Sequence, residues 1–230
     1  MEDRELVEYF ADLARKLAVI DGVEQTMAVI VNAAVELVGC DHASLSHMRN
    51  KQLLSASSND EMAPLLDRIQ TEEQEGPCLD AIREGGVQVC DDLRVDSRWS
   101  RFGPRAHDAT GVVSCMATQL HAGQLTIGAL NLFSNSPGTF AEPHHQGGLV
   151  AVLAAHATPA LATALRHESA AAALSSRDLI GQAKGILMAH SKVDADEAFR
   201  LLVRASQRTN EKVIDVARQL VDRTIGMSEA

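Results

Sequence analysis

Two runs of apolar and β-branched residues, separated by only four residues, constrain the fold of this chain more than any other feature. The runs cover residues 112–120 and 125–133, and His121-Ala122-Gly123-Gln124 connects them. A connection of this length that contains glycine is typical of a β-hairpin, whose two strands are antiparallel. We therefore expect an antiparallel sheet that includes residues 112–133.

Helical patterns precede this hairpin. Residues 5–19 and 24–38 carry apolar side chains at three- and four-residue spacing and are separated by Asp21-Gly22, which predicts two amphipathic helices. Two strands are expected within 42–57, joined by a turn at 49–51, and a helix over 61–74 follows them. A short helix entered at Pro77, a strand over 87–90 and an irregular segment over 91–107 are expected next.

No strand signal remains after residue 142. The alanine-rich run 156–175 predicts a connecting helix with a kink at Pro159, and its apolar stripe is compatible with a homodimeric coiled coil. Three helices are then expected: 176–190, a second capped by Asp194 and ending near 208, and a third capped by Asn210 and ending near 223. The predicted fold class is α+β, followed by an all-α module of three helices.

Composition narrows the function classes. The chain of 230 residues, 46% hydrophobic and 23% charged, is typical of an ordinary globular protein with one large or two modest domains. Aromatic residues make up only 3%, which argues against a nucleic-acid surface built on base stacking. The acidic start has no signal-peptide pattern, and histidines and Pro159 interrupt the apolar stretch 149–165, so we expect a cytoplasmic protein without a membrane span.

The sequence contains no recognisable catalytic or metal motif. Its four cysteines have no CxxC spacing, so no zinc site is expected, and free thiols suit a reducing compartment. Ser-His-Asp order, a P-loop, GxGxxG and HExxH are all absent from the sequence. We therefore predict no catalytic residues, no metal ligands and no cofactor.

The charge is unevenly divided along the chain. The net charge is −10, but residues 1–176 carry 12 basic and 23 acidic residues, whereas residues 177–223 carry 9 basic and 7 acidic residues. Such asymmetry favours separate roles for the two parts. It leaves room for a nucleic-acid partner at the C-terminal end.

Two local patterns in the C-terminal part exceed what a small core needs. Arg200, Arg204 and Arg208 are spaced i, i+4, i+8 and so share one helical face, which Lys212 extends; this is either a solvated charged face or a phosphate-binding row. Gly181 and Gly185 lie within a predicted helix, where each costs about 1 kcal/mol relative to alanine. Glycines there permit close approach either by another helix or by RNA.

Residues 76–140 resemble a GAF domain. The resemblance is carried by Gly76-Pro77-Cys78-Leu79-Asp80-Ala81, Asp91-Asp92-Leu93, Asp96-Ser97-Arg98-Trp99, Ile127-Gly128-Ala129-Leu130-Asn131-Leu132-Phe133 and Phe140. It implies a sensor domain with a small-molecule pocket between the sheet and the segment 91–110. The ligand is not specified by these residues.

Residues 177–223 resemble an ANTAR domain more sharply. The matching residues are Arg177-Asp178-Leu179-Ile180-Gly181-Gln182-Ala183-Lys184-Gly185-Ile186-Leu187-Met188, Asp194-Ala195-Asp196-Glu197-Ala198-Phe199, Arg204-Ala205-Ser206-Gln207-Arg208-Thr209-Asn210 and Val216-Ala217. The resemblance implies a three-helix module that binds paired hairpin loops in nascent transcripts and prevents termination of transcription.

These observations give a set of candidate RNA-binding residues. They are Arg177, Gln182, Lys184, Gly185, Arg200, Arg204, Ser206, Gln207, Arg208, Thr209, Asn210 and Lys212. The expected division is a GAF-like sensor over 1–155, a linker helix over 156–176 and the RNA-binding module over 177–230. RNA, a second copy of the chain and a small sensor ligand are the expected partners.

Three alternatives remain open at the level of sequence. A DNA-binding helix-turn-helix would use the third helix, whose Glu211 and Asp215 disfavour phosphate contact. A redox-active GAF protein, resembling methionine sulfoxide reductases, would use Cys78, Cys90 and Cys115. A purely structural dimeric adaptor would bind no RNA and turn over no substrate.

Overall fold

A computed structural model of the protein describes residues 3–49, 52–123, 125–141 and 146–226. Two compact units divide the chain, Met1–Leu165 and Arg166–Ala230. The helices are α1 (Asp3–Val19), α2 (Val23–Val38), α3 (Met62–Glu73), α4 (Pro77–Glu84), α5 (Phe102–Thr110), α6 (Gln146–Ser191), α7 (Ala195–Thr209) and α8 (Val213–Gly226), with a 3-10 helix at Ser97–Trp99.

The first unit contains one five-stranded antiparallel sheet. Its strands are β1 (His42–Arg49), β2 (Gln52–Ser58), β3 (Val87–Cys90), β4 (Ser114–Ala122) and β5 (Leu125–Ser134), in the order β2-β1-β5-β4-β3. The predicted hairpin is confirmed, because β4 pairs with β5 from Ser114↔Ser134 to Ala122↔Leu125. Of the predicted turn residues, Asn50, Lys51 and Gln124 lie outside the described residues.

Alternation along the strands separates two cores on opposite faces of this sheet. On one face Leu45, Met116 and Leu130 pack against α1, α2 and the N-terminal part of α6. On the other face Cys115 and Phe133 pack against α3 and α5. Because successive strand residues point to opposite faces, both faces of β4 and β5 are buried, which explains their nearly continuous apolar sequence.

Segment 91–107 differs from the sequence-based expectation. The expected irregular segment instead contains the 3-10 helix and α5. Few apolar residues mark α5, but Phe102 and Ala106 are both fully buried in the α3-side core. Gly103 is also required there, because a Cβ on it would lie 2.1 Å from the Leu93 carbonyl oxygen. Burial against the sheet therefore stabilises a helix that its own sequence pattern did not reveal.

Helix α6 runs without a break through the predicted linker and through the first helix predicted for the C-terminal module. The boundary expected at residue 176 is therefore wrong as a helix end, because no helix-terminating residue lies between Pro159 and Ser191. Within the described chain, one helix, Gly148–Ser191, is long and apolar enough by composition to cross a membrane. Its N-terminal part is nevertheless a core helix, with Val150, Leu153, Ala157 and Leu161 buried in the first unit.

The second unit contains three helical segments around a small core. Ala183, Leu202, Ala217 and Val221 form its buried centre, as the predicted apolar stripes require. Asp194 caps α7 as predicted, since its Oδ1 accepts a 2.8 Å hydrogen bond from the Glu197 N–H. Asn210, however, does not cap α8: it has φ +57° and ends α7 in a left-handed conformation. An asparagine tolerates this backbone region, which explains its position in the turn.

Candidate functional site

Part of the segment 91–110 packs directly against the sheet on the side of α3 and α5. Leu93, Trp99 and Phe102 are each no more than 1% exposed and pack against Cys115 and Phe133. The Trp99 indole N–H is satisfied by a 2.7 Å hydrogen bond to Asp80 Oδ2. This face of the sheet is therefore a packed core rather than an open cavity.

A buried polar cluster lies on the same face of the sheet, between β1, β5 and α3. Asn131 Nδ2 donates to Asp67 Oδ1 at 3.0 Å and to Ser44 Oγ at 3.2 Å, while the Ser46 hydroxyl donates to Asp67 Oδ2 at 3.1 Å. Gln70 Oε1 accepts a 2.8 Å hydrogen bond from the Cys78 N–H at the start of α4. The cluster joins two helices to the sheet and so fixes the geometry of this face.

An open groove lies at the edge of the sheet, along β3. It has a volume of about 700 Å³ and is lined by Val87, Val89, Asp91, Asp92, Val95, Asp96, Arg98, Met116, Phe140 and Ala141. The groove therefore lies between the sheet and the segment 91–110, as the GAF resemblance implies, at the end of that segment nearest the edge strand β3. Asp91 and Asp92, which the sequence pattern favours as solvated turn residues, line this groove.

Arginine pairs neutralise much of the acidic charge around the groove. Arg94 Nη2 lies 2.7 Å from Asp92 Oδ2, and hydrogen bonds from Arg94 lower the pKa of Asp92 to about 2. Arg98 Nη2 lies 2.6 Å from Asp96 Oδ2 and also donates to the Val89 carbonyl at 2.6 Å. Its guanidinium sits 4.4 Å from the centroid of the Trp99 ring. Arg98 thus links the groove wall to the edge strand and to the core.

The cysteines of the first unit are buried and free. Burial raises the pKa of Cys40 to about 12, and burial followed by the charge of Asp67 raises the pKa of Cys78 well above its ordinary value. Both side chains are therefore thiols at neutral pH and weak nucleophiles. Among the described residues, no group of three or more His, Cys, Asp or Glu side chains is arranged to hold a metal ion.

The predicted basic row in the second unit lies on the exposed surface of α7. Arg200, Arg204 and Arg208 are all exposed, as is Lys212 before α8. Glu197 contacts two of these arginines, with Arg200 Nε at 2.7 Å from Oε2 and Arg204 Nη2 at 2.5 Å from Oε1. Hydrogen bonds from Arg204 and then Arg200 lower the pKa of Glu197. The N-terminal end of the row is thus partly neutralised.

Four other candidate cations keep their charges available. Within the described part of the chain, Arg177, Lys184, Arg208 and Lys212 form none of the observed ion pairs. Arg177, Arg208 and Lys212 are exposed, and Lys184 is half-buried. Cations without carboxylate partners are the groups that displace counterions from a phosphate backbone.

The polar residues between α7 and α8 have structural partners. The Ser206 hydroxyl donates to the Glu211 carbonyl at 2.6 Å, and the Thr209 hydroxyl donates to the Ala205 carbonyl at 3.1 Å. Asn210 supplies the left-handed residue of the same turn. These three residues therefore shape the turn, whereas Gln182 and Gln207 have exposed side chains on the helices.

The glycines of α6 do not serve a helix crossing within the chain. A Cβ built on Gly181 or Gly185 would have no neighbour within 4 Å apart from the adjacent helix backbone, and both residues are exposed. Of the two approaches left open by the sequence, a helix of the same chain does not use this stripe within the described residues. The stripe remains accessible to a partner molecule.

Several surface features were missed at the level of sequence. Phe199 and Met188 in the second unit are 42% and 39% exposed, although their types favour burial. Arg98 and Asp96 were recognised only as motif residues, yet they form the wall of the groove. No periodicity marks Phe199 as exposed, because only the packing of α7 decides which of its apolar residues face the core.

Comparison with protein families identifies two domains. The family model described as GAF domain matches residues 21–162, which is more than half of the chain. The family model described as ANTAR domain matches residues 168–221. No curated protein matches the chain. The two matches correspond in order to the sequence resemblances at residues 76–140 and 177–223.

Solved structures resemble the first unit in fold. The GAF domain of an Acinetobacter phosphoenolpyruvate-protein phosphotransferase aligns with TM-score 0.57 and 12% identity, over 74% of this chain and 99% of that one. Free methionine-R-sulfoxide reductase from Neisseria meningitidis aligns with TM-score 0.56 and 15% identity, over 73% and 95%. The GAF domain of the cyanobacteriochrome TePixJ aligns with TM-score 0.53 and 14% identity, over 64% and 94%. At these identities, only the fold is shared.

Proposed function

The chain belongs to the GAF domain family and carries an ANTAR domain after it, and from this premise we propose that it acts by antitermination on transcripts with paired hairpins. The two domains indicate a regulatory protein that has a sensor and an RNA-binding part. The proposal adds the form of the RNA, the residues that contact it and the assembly that presents them.

A single observation carries this proposal: the second unit keeps Arg177, Lys184, Arg208 and Lys212 without carboxylate partners although the whole chain has a net charge of −10. In an acidic protein, most surface cations are expected to be paired with the excess of carboxylates. Phosphate contacts dominate nucleic-acid affinity, so an anionic protein needs such a local exception to bind RNA.

The remaining candidate residues are assigned complementary roles. Gln182 and Gln207 are exposed and carry both a donor and an acceptor, which suits the edges of unpaired loop bases. Arg200 and Arg204 contribute charge that Glu197 moderates. Gly185 allows the RNA backbone to approach α6 closely. Ser206, Thr209 and Asn210 contribute through the turn that they hold between α7 and α8.

We further propose a cytoplasmic homodimer, in which each copy presents one ANTAR module to one hairpin. Every residue from 166 to 175 of α6 is exposed, and Leu174 is 60% exposed. A helix with an exposed leucine and alanine-rich surface can bury it against the same helix of a second copy. In this assembly residues 1–155 sense the signal, 156–176 link, and 177–230 bind RNA.

For the sensor domain we propose a small amphipathic ligand in the groove along β3. Apolar side chains of Val87, Val89 and Met116 line it together with Asp91, whose carboxylate forms no ion pair among the described residues. A ligand with an apolar body and a donor or cationic end would match this combination.

The decisive experiment is a titration of the full chain with a fluorescent RNA that contains two adjacent hairpins. Controls are a scrambled RNA of equal length, a single-hairpin RNA and duplex DNA of equal charge. We expect the two-hairpin RNA to bind most tightly. For the single-hairpin RNA, which contacts one module, log K should fall against log[salt] at a slope of roughly −3, for four phosphate contacts at about 0.7 each. Equal binding of all four nucleic acids, or none, would contradict the proposal, and preference for duplex DNA would favour a helix-turn-helix regulator.

A further inference from the structure

Two of the four cysteines face each other across neighbouring strands. Cys90, the last residue of β3, is the direct register partner of Cys115 on β4. Directly opposed residues of antiparallel strands have Cα atoms about 4.5–5.5 Å apart, within the roughly 4.4–6.8 Å range that a disulfide spans. Both side chains are buried in the same core, on the α3 side of the sheet. Their backbone positions already suit a covalent bond.

The other two cysteines have no such partner. Cys40 precedes β1 and belongs to the core on the opposite face of the sheet, and Cys78 lies in the first turn of α4. All four cysteines lie within the described residues, and Cys90–Cys115 is the one cysteine pair in strand register. The chain therefore supplies its own controls for a reaction at this pair.

The paired thiols lie directly behind the wall of the groove. The Cys90 thiol forms a hydrogen bond with the Asp96 carboxylate, and the guanidinium charge of Arg98 acts on both sulfurs. Asp96 and Arg98 both line the groove, and Arg98 also holds the Val89 carbonyl next to Cys90. Cys90 ends β3, an edge strand of only four residues, whereas Cys115 lies on the interior strand β4. A peroxide at the sheet edge therefore meets Cys90 before Cys115.

We propose that Cys90 and Cys115 form a reversible disulfide when a small hydroperoxide reaches the groove along β3. Cys90 sulfur attacks the terminal peroxide oxygen, the O–O bond breaks, and the thiol proton leaves with the alkoxide as an alcohol, or as water from hydrogen peroxide. Cys115 sulfur then attacks the Cys90 sulfenic acid, the S–S bond forms, and the S–O bond breaks. The leaving hydroxide takes the Cys115 proton as water, so two thiols are oxidised and one peroxide is reduced.

The order of the two steps follows from the environments of the thiols. Burial, followed by the hydrogen bond to Cys90, raises the pKa of Cys115 well above its ordinary value. Cys115 therefore remains a thiol until the sulfenic acid of Cys90 forms beside it. The resulting bond would tie β3 to β4 and close a loop that contains Asp92, Asp96 and Arg98, so oxidation would stiffen the groove. Two equivalents of a small thiol would reverse it by exchange.

The test is a measurement of thiol oxidation on the full chain. Reduced protein is exposed to hydrogen peroxide, quenched with acid, denatured and alkylated, and then mapped by peptide mass spectrometry. We expect a loss of two hydrogen atoms, alkylation of Cys40 and Cys78 alone, and a peptide cross-linked between Cys90 and Cys115 that dithiothreitol separates. Peroxide treatment that leaves all four cysteines open to alkylation would overturn the proposal, as would a cross-link that involves Cys40 or Cys78.

Serine variants distinguish a specific reaction of Cys90 and Cys115 from unspecific oxidation of the cysteines. In Cys90→Ser, all three remaining cysteines should be alkylated after the same exposure. In Cys115→Ser, Cys40 and Cys78 should be alkylated, while Cys90 should be left as a sulfenic or sulfinic acid because no second thiol resolves it. Cys78→Ser should still form the Cys90–Cys115 cross-link. If a serine variant fails to fold, the wild-type peptide map and Cys78→Ser decide the question by themselves. A wild-type map in which Cys90 accumulates as sulfinic acid without any cross-link would also overturn the proposal.

Discussion

The two units of this protein treat their surface charges in opposite ways. In the GAF domain, arginines and carboxylates are joined locally, as in Arg94–Asp92 at 2.7 Å, Arg98–Asp96 at 2.6 Å and Arg101–Glu75 at 3.2 Å. In the ANTAR domain, Glu197 holds two arginines, while Arg208 and Lys212 are left without ion pairs among the described residues. Net charge alone would assign the wrong partner to this chain, because among the described residues the cations without ion pairs are concentrated in the second unit.

The cores of the two units also differ in size. A substitution in the smaller core is therefore expected to have the largest effect on stability and on RNA binding. Leu202 is 2% exposed at the centre of the small ANTAR core, so Leu202→Ala should destabilise that unit by roughly 2–4 kcal/mol and abolish RNA binding. Leu132→Ala in the larger GAF core is the matched control and should leave RNA binding intact. Calorimetry and urea titration measure the unfolding transition of each unit. Equal loss of RNA binding in the two variants would contradict the view that the two units fold independently.

Removing the unpaired cations should weaken RNA binding without unfolding. The double change Arg208→Ala with Lys212→Ala is expected to lower the affinity for the single-hairpin RNA roughly tenfold near 0.15 M salt and to flatten its salt slope by about 1.4, since each lost phosphate contact contributes about 0.7. Arg218, which lies 3.3 Å from Asp215, provides the matched control, and Arg218→Ala should change affinity less than about twofold. Similar losses in both variants would mean that pairing does not decide which cations bind RNA.

A smaller effect of opposite sign is expected at Glu197. Glu197→Gln removes the charge that Arg200 and Arg204 share, so RNA affinity should rise by about fourfold and the salt slope should steepen by about 0.7. Fluorescence titration across a salt series measures both quantities. A fall in affinity would instead show that the carboxylate orients the two guanidinium groups for binding.

The smallest expected effect is a change in the pKa of Asp92 when its ion pair with Arg94 in the GAF domain is removed. Because Arg94 lowers the pKa of Asp92 to about 2, the stabilising contribution of this carboxylate is present at neutral pH and is lost as the pH falls from about 4 to 2. In Arg94→Ala the pKa of Asp92 should rise toward about 4. Carboxyl NMR titration of both proteins checks this, and an unchanged Asp92 pKa in the variant would contradict the role given to Arg94.

Sequence patterns predicted the elements whose periodicity is strong. The hairpin of β4 and β5, the two N-terminal helices and the Asp194 cap were all predicted, because alternation, three- and four-residue spacing and capping chemistry act locally. Helix α5 was not predicted, since only Phe102 and Ala106 mark its buried face. The continuity of α6 was missed for a different reason: the expected boundary at 176 followed the end of the alanine-rich run, and such a change in composition does not end a helix.

The candidate sites were predictable only as sets of residue types. The i, i+4, i+8 spacing correctly predicted that Arg200, Arg204 and Arg208 share one face of a helix, and all three are exposed. The local roles of Ser206, Thr209 and Asn210 depend on the backbone of the turn, which spacing does not specify. The packing of Trp99 and Phe102 against the sheet was unpredictable in the same way, because both side chains come from a segment expected to be irregular.

The guanidinium of Arg98 has a consequence for the behaviour of this protein in concentrated solution. Strand β3 borders the sheet, and an uncovered border strand can recruit a strand from another molecule and begin aggregation. Arg98 donates a hydrogen bond to the Val89 carbonyl oxygen and places a positive charge at this edge. An incoming strand therefore finds one backbone hydrogen-bond acceptor fewer on β3. The side chain that shapes the groove therefore also protects the sheet from open-ended self-association.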